Sequence, residues 1–139
     1  MLTNLLLLVK KGILIPERKR FVMTNYDEKL KEIITNNKNV FDSTKEVGTG
    51  FLQMHQVEIK DGVLSAKEKE LQALAIAVAI RCEGCIIQHT KTAIKLGATR
   101  DELSETIGVA IMMAGGPATV YGGKALACAD QFLAEVEQN

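Results

Sequence analysis

The residues able to do redox chemistry stand together in Arg-Cys-Glu-Gly-Cys-Ile-Ile-Gln-His (81–89), as Cys82, Cys85 and His89. On a helix the i, i+3, i+7 spacing puts all three on one face, within about two turns or roughly 11 Å. Cys85 and His89 are i, i+4 neighbours, so the imidazole can take the thiol proton or stabilise the thiolate. Cys82 falls at the N-terminal end of that helix, where unpaired amides and the dipole favour an anion. A thiolate with a second thiol one turn away can be oxidised to a disulfide and reduced again, with the imidazole handling protons in both steps.

Glu70 is the candidate fourth member. In one straight helix, twelve residues would separate it from Cys82 by about 18 Å, beyond contact. If the chain turns near 80–83, the two helices run antiparallel. Glu70 then lies about 15 Å before the turn and His89 about 10 Å after it, nearly level, and a carboxylate there would orient the ring. Other readings compete. Two buried structural thiols would also explain a Cys-x-x-Cys pair. A structural zinc needs four ligands, whereas three cluster here and His55 could join only by folding back. Cys128, within Ala-Cys-Ala, reads as a small core residue, Met112-Met113 as core filling or an oligomer contact, and Tyr121-Gly122-Gly123 as close helix packing.

These residues need helices to position them, and every periodic segment is helical. Tyr26, Leu30, Ile33 and Ile34 make the apolar stripe of an amphipathic helix over 26–37. A second helix is expected at about 40–56, weakened by Gly48 and Gly50, and Lys60-Asp61-Gly62 is a turn. Ser65-Ala-Lys-Glu68 is a capping box opening a helix to about Arg81, apolar around nearly its whole circumference and therefore central. The next helix carries the site and ends at Gly97. Thr99-Arg-Asp-Glu102 is a second capping box. Its helix carries Leu103, Ile107, Ala110 and Ile111 inward and stops at Gly115-Gly116-Pro117. The last helix covers roughly 118–136. No segment alternates with the period of a strand and none repeats. The expectation is an all-α fold of about five to six helices: one domain over 23–139, core 60–136, with 1–22 an N-terminal extension outside the fold and Met23 a second possible start.

Composition narrows the class. The 139 residues are 47% hydrophobic and 24% charged, enough apolar content for an ordinary core and too much for disorder. Seventeen basic side chains balance seventeen acidic ones, which leaves no polybasic footprint for nucleic acid. The neutrality hides a tilt, +3 over residues 1–60 and −3 over 61–139, too diffuse to name a charged partner. Three cysteines are too few for a disulfide scaffold. No apolar run reaches the roughly 20 residues of a membrane-spanning helix, and no basic residue precedes Leu5–Val9 as a signal peptide would require. The expectation is a cytoplasmic protein, without membrane or nucleic-acid partners, whose cysteine pair rests reduced.

From Leu64 to Phe132 the chain resembles the carboxymuconolactone decarboxylase / alkylhydroperoxidase-D-like superfamily. The matching text is Leu-Ser-Ala-Lys-Glu-Lys-Glu-Leu (64–71), Arg-Cys-Glu-Gly-Cys-Ile-Ile-Gln-His (81–89), Ala-Ile-Lys-Leu-Gly-Ala-Thr-Arg-Asp-Glu-Leu (93–103) and Gly-Gly-Pro (115–117). The resemblance implies a helical-hairpin fold assembled as a homotrimer or homohexamer, with sites near subunit interfaces. It also implies a division of chemistry. The decarboxylase branch typically lacks the cysteine pair, whereas the peroxidase branch uses it with a downstream His and an upstream Glu, positions held here by Cys82, Cys85, His89 and Glu70. In that branch one thiolate reduces a hydroperoxide, the other closes the disulfide, and an external dithiol such as dihydrolipoamide or a thioredoxin-like protein reopens it. No bound cofactor or metal is implied. Cys85 beside His89 reads as the attacking thiol and Cys82 as the resolving one; the N-terminal position of Cys82 argues the reverse order. Glu83-Gly84 departs from the branch, which often has a His there, and an acid between the cysteines disfavours a thiolate. The alternatives are a decarboxylase acting through Arg81 and Lys91, or a non-catalytic helical oligomer that senses redox state or binds metal.

Overall fold

A computed structural model describes residues 24–138, and these form six helices with no strand among them: α1 (Tyr26–Thr44), α2 (Glu46–Glu58), α3 (Ala66–Ala79), α4 (Glu83–Lys95), α5 (Arg100–Ala114) and α6 (Gly116–Glu137). The expected extension, 1–22, lies outside the described residues. Both capping boxes form. The Ser65 and Thr99 hydroxyls accept from the amides of Glu68 and Glu102, whose carboxylates return to the cap amides at 2.7 and 2.8 Å.

The core is built by α3 to α6, each giving one stripe. Leu74, Ala77 and Val78 come from α3, Ile86, Ile87, Ala93 and Ile94 from α4, Leu103 and Ile107 from α5, and Ala125, Ala129 and Phe132 from α6. The small residues of α6 let it approach α5 closely. A Cβ on Gly122 would stand 2.5 Å from Ile107 Cγ2, which is the close packing expected of that segment. Cys128 is fully buried there, as a core residue should be.

Two boundaries differ from the sequence reading. The first helix continues to Thr44, so 40–44 belong to α1, and the break falls at Lys45, whose φ is 46°. Gly48 has a steric purpose: a Cβ there would lie 2.7 Å from Phe41 Cα, so glycine lets α2 fold back against the end of α1. Periodicity could not locate this break, because Ile34 and Val40 are exposed and make no core stripe. At the other boundary Pro117 sits in the first turn of α6, where its missing N–H costs nothing, and only Gly115 is left between α5 and α6.

The decisive turn joins α3 to α4. Arg81 takes φ 62°, with its N–H on the Val78 carbonyl at 3.2 Å and the Cys82 N–H on the Ala77 carbonyl at 3.0 Å. This is the Schellman pattern of a helix end. The same pattern closes α4 with glycine in the left-handed position: Gly97 (φ 85°) bonds Ile94, and Ala98 bonds Ala93. At the hairpin an arginine holds that position, at a cost of about 1–2 kcal/mol. Strain of this kind gathers where a backbone direction matters more than local stability.

Candidate active site

Cys82 belongs to both helices of the hairpin. Its amide closes α3, and its sulfur caps α4 by accepting from the Cys85 N–H at 3.3 Å. Cys82 and Cys85 are joined as a disulfide, the oxidised state of a pair that the compartment argument expects to rest reduced. Both cysteines are half-buried.

The antiparallel hairpin brings Glu70 to His89, with Oε2 and Nδ1 2.6 Å apart. Glu70 is 1% exposed and His89 17%, so the pair is sheltered and the carboxylate fixes the ring. With Nδ1 engaged, Nε2 is the nitrogen left for proton transfer. The straight-helix alternative is excluded by this contact. Glu70 and His89 thus meet across the α3–α4 hairpin, whose turn carries the joined Cys82 and Cys85.

Glu83, counted against a thiolate in the sequence, is not a bare charge. Its Oε1 lies 2.6 Å from Lys29 Nζ of α1 and 3.7 Å from Lys124 Nζ of α6. The Lys29 hydrogen bond holds the Glu83 carboxyl below its usual range, and Glu83 in turn raises Lys29. Both are therefore ionised at neutral pH. Gly84 lies under Ile33, against which an added Cβ would stand at 3.4 Å.

His55 is a member that sequence spacing missed. Helix α2 does fold back, and the His55 ring stacks on His89 with centroids 6.2 Å apart. A chain of rings continues outward through Phe51, 6.5 Å from His55, to Phe41, 5.7 Å further. Helix α2 turns this imidazole inward while Val47, Leu52 and Val57 face outward, the reverse of what burial alone would choose. His55 and His89 open onto a cavity of about 260 Å³ walled by Phe51, Met54, Ile59 and Ala73. The sequence allowed His55 to join only by folding back, and with thirty-four positions between it and His89 no local spacing could foretell that.

The remaining candidates fall away from this cluster. Burial pushes the Cys128 thiol up to about 12, so it holds no thiolate at neutral pH. Lys91 is ion-paired to Asp27 and lies 4.6 Å over the Phe132 ring, and Arg81 is exposed at the turn. The two cations of the decarboxylase reading are thus not brought to a shared pocket. Among the described residues no three His, Cys, Asp or Glu side chains are disposed to hold a metal ion.

Residues 45–130 match the carboxymuconolactone decarboxylase family. The chain belongs to that family. A family protein from Legionella pneumophila, solved without ligand, is 43% identical, with a TM-score of 0.73 over 77% of this chain and 96% of its own. A family protein from Thermotoga maritima, at 23% identity, shares the fold with a TM-score of 0.72 over 80% of this chain and 94% of its own. Two curated relatives match over 86 residues, 62% of this chain. An uncharacterized protein of Cupriavidus necator is 40% identical over 76% of its length, and uncharacterized protein 4 in the cox locus of Paracoccus denitrificans is 38% identical over 78%. Among the described residues no helix of this carboxymuconolactone decarboxylase family member is long and apolar enough to cross a membrane.

Proposed function

We propose that this family member is a thiol-dependent peroxidase that reduces organic hydroperoxides through the Cys82/Cys85 couple. The observation that carries the reading is the buried Glu70–His89 contact at 2.6 Å, made across a hairpin whose turn holds the joined cysteines. A structural disulfide needs no oriented imidazole beside it; a proton-coupled one does.

In the reduced enzyme the Cys85 thiol passes its proton to His89, held by Glu70, and the thiolate attacks the terminal oxygen of the hydroperoxide. The O–O bond breaks, Cys85 becomes a sulfenic acid, and the departing alkoxide takes the proton back from His89 to leave as an alcohol. The Cys82 thiol then attacks the sulfenic sulfur, water leaves, and the disulfide forms. An external dithiol, dihydrolipoamide or a thioredoxin-like protein, supplies two electrons and two protons to reopen it. The apolar cavity ending on His55 and His89 is where the organic part of the substrate lies.

The test is consumption of cumene hydroperoxide with a dithiol reductant. Wild type is expected to turn over, Cys82→Ser and Cys85→Ser each to lose at least about a hundredfold, and Cys128→Ala to retain activity. Turnover undiminished in both active-site serine variants would overturn the reading.

A further inference from the structure

The charge lying between the two cysteines is answered from outside the hairpin. Glu83 opens α4 and competes with a Cys82 thiolate for the same helix-terminal field. Lys29, from α1, meets its carboxylate at 2.6 Å, and Lys124, from α6, at 3.7 Å. Among the described residues Tyr26 of α1 also interacts with Glu83, while Glu70 of α3 and His89 of α4 pair with one another. The three charged side chains are 37–42% exposed, so their pairing adds little to stability. A partly buried sulfur nearby is more sensitive to whether that carboxylate is neutralised.

We propose that Lys29 and Lys124 are positioning residues of the redox site, which hold Glu83 and cancel its field so that the reduced cysteine pair reacts as a thiolate. The inference rests on the redox reading of Cys82/Cys85, though not on hydroperoxide being the substrate. It makes α1 part of the site although α1 contributes no reacting atom. It also explains how this chain tolerates an acid between its cysteines: the compensating charges arrive with two other helices.

The experiment follows iodoacetamide alkylation of the dithiothreitol-reduced protein across pH, read by mass spectrometry at Cys82 and Cys85. Lys29→Met, leaving Glu83 uncompensated, is expected to slow alkylation at pH 7 by about three- to fivefold and to move the profile to higher pH. Glu83→Gln is expected to speed it, and the double variant Lys29→Met/Glu83→Gln to return within about twofold of wild type. The Lys29→Met effect is expected to shrink in 1 M salt, where the screening length falls to about 3 Å. Lys124→Met gives the same sign at smaller amplitude, and it supplies the reading if Lys29→Met loosens α1. Wild-type rates in both lysine variants, or slowing that persists undiminished with Glu83→Gln present, would overturn the inference. A failed peroxidase assay alongside this pattern would instead remove the proposed substrate and leave the charge compensation standing.

Discussion

Glu70 is a carboxylate with 1% of its side chain exposed, and the His89 imidazole is the partner that makes its burial tolerable. Removing one member of such a pair strands the other in a medium that solvates it poorly, whereas removing both costs far less. His89→Leu is therefore expected to destabilise the oxidised protein by about 3 kcal/mol. Glu70→Leu added to it is expected to recover most of that loss, as measured by urea unfolding. If the double variant is no more stable than the single one, the stranded charge is not the cause. The Glu70–His89 contact was legible in the sequence as a possibility of register. The two outcomes for Glu70 and His89, about 28 Å apart on one straight helix or in contact, differed only by a turn that no glycine announced, because Arg81 occupies the left-handed position. His55 was legible only as a residue that folding back could bring in, and nothing in the sequence showed that it would.

Helix α1 joins the bundle through a small apolar face and a few ion pairs. It buries only Tyr26 and Leu30, while Asp27 pairs with Lys91, Lys29 with Glu83, and the Tyr26 amide with the Gln131 side chain at 2.9 Å. Hydrogen bonds from their lysine partners depress both carboxyls, Asp27 and Glu83. A depressed folded-state value means the stabilisation is present above the unfolded values, about 3.9 for Asp and 4.3 for Glu, and is lost as pH falls through the lower folded ones. Below about pH 4, α1 is thus expected to lose hydrogen-exchange protection before α3 to α6, which are held by the apolar core. Simultaneous loss across all helices would count against this account. Element existence was readable from the stripes and capping boxes. The boundary between α1 and α2 was not, since it depends on Gly48 meeting Phe41.

Among the described residues, several helices carry exposed apolar side chains. Ile76 on α3, Ile80 just past its end, Met112 and Met113 on α5 at 74% and 76% exposure, and much of α2 are exposed. Scattered exposed apolar residues are ordinary; stripes at i, i+3 and i+4 on several helices are what surfaces between copies look like. The homotrimer or homohexamer implied by the family resemblance would cover them, and light scattering is expected to give three or six times the 15.2 kDa chain mass. A monodisperse monomer at micromolar concentration would remove that reading.

The amino-acid sequence by itself determined the helical class, the capped starts of α3 and α5, and the Cys-x-x-Cys-x-x-x-His face. All of these are set by interactions within a few residues, where period and capping chemistry leave little choice. Only the tertiary structure decided that Glu70 meets His89, that His55 stacks on it, and that Lys29 and Lys124 answer Glu83. Those contacts join residues brought together by the hairpin and by helix packing, and local rules carry no information about which distant side chains share a neighbourhood. The cysteine spacing was local and readable, whereas the hairpin brought Glu70 to His89 and three further helices added His55, Lys29 and Lys124 around it.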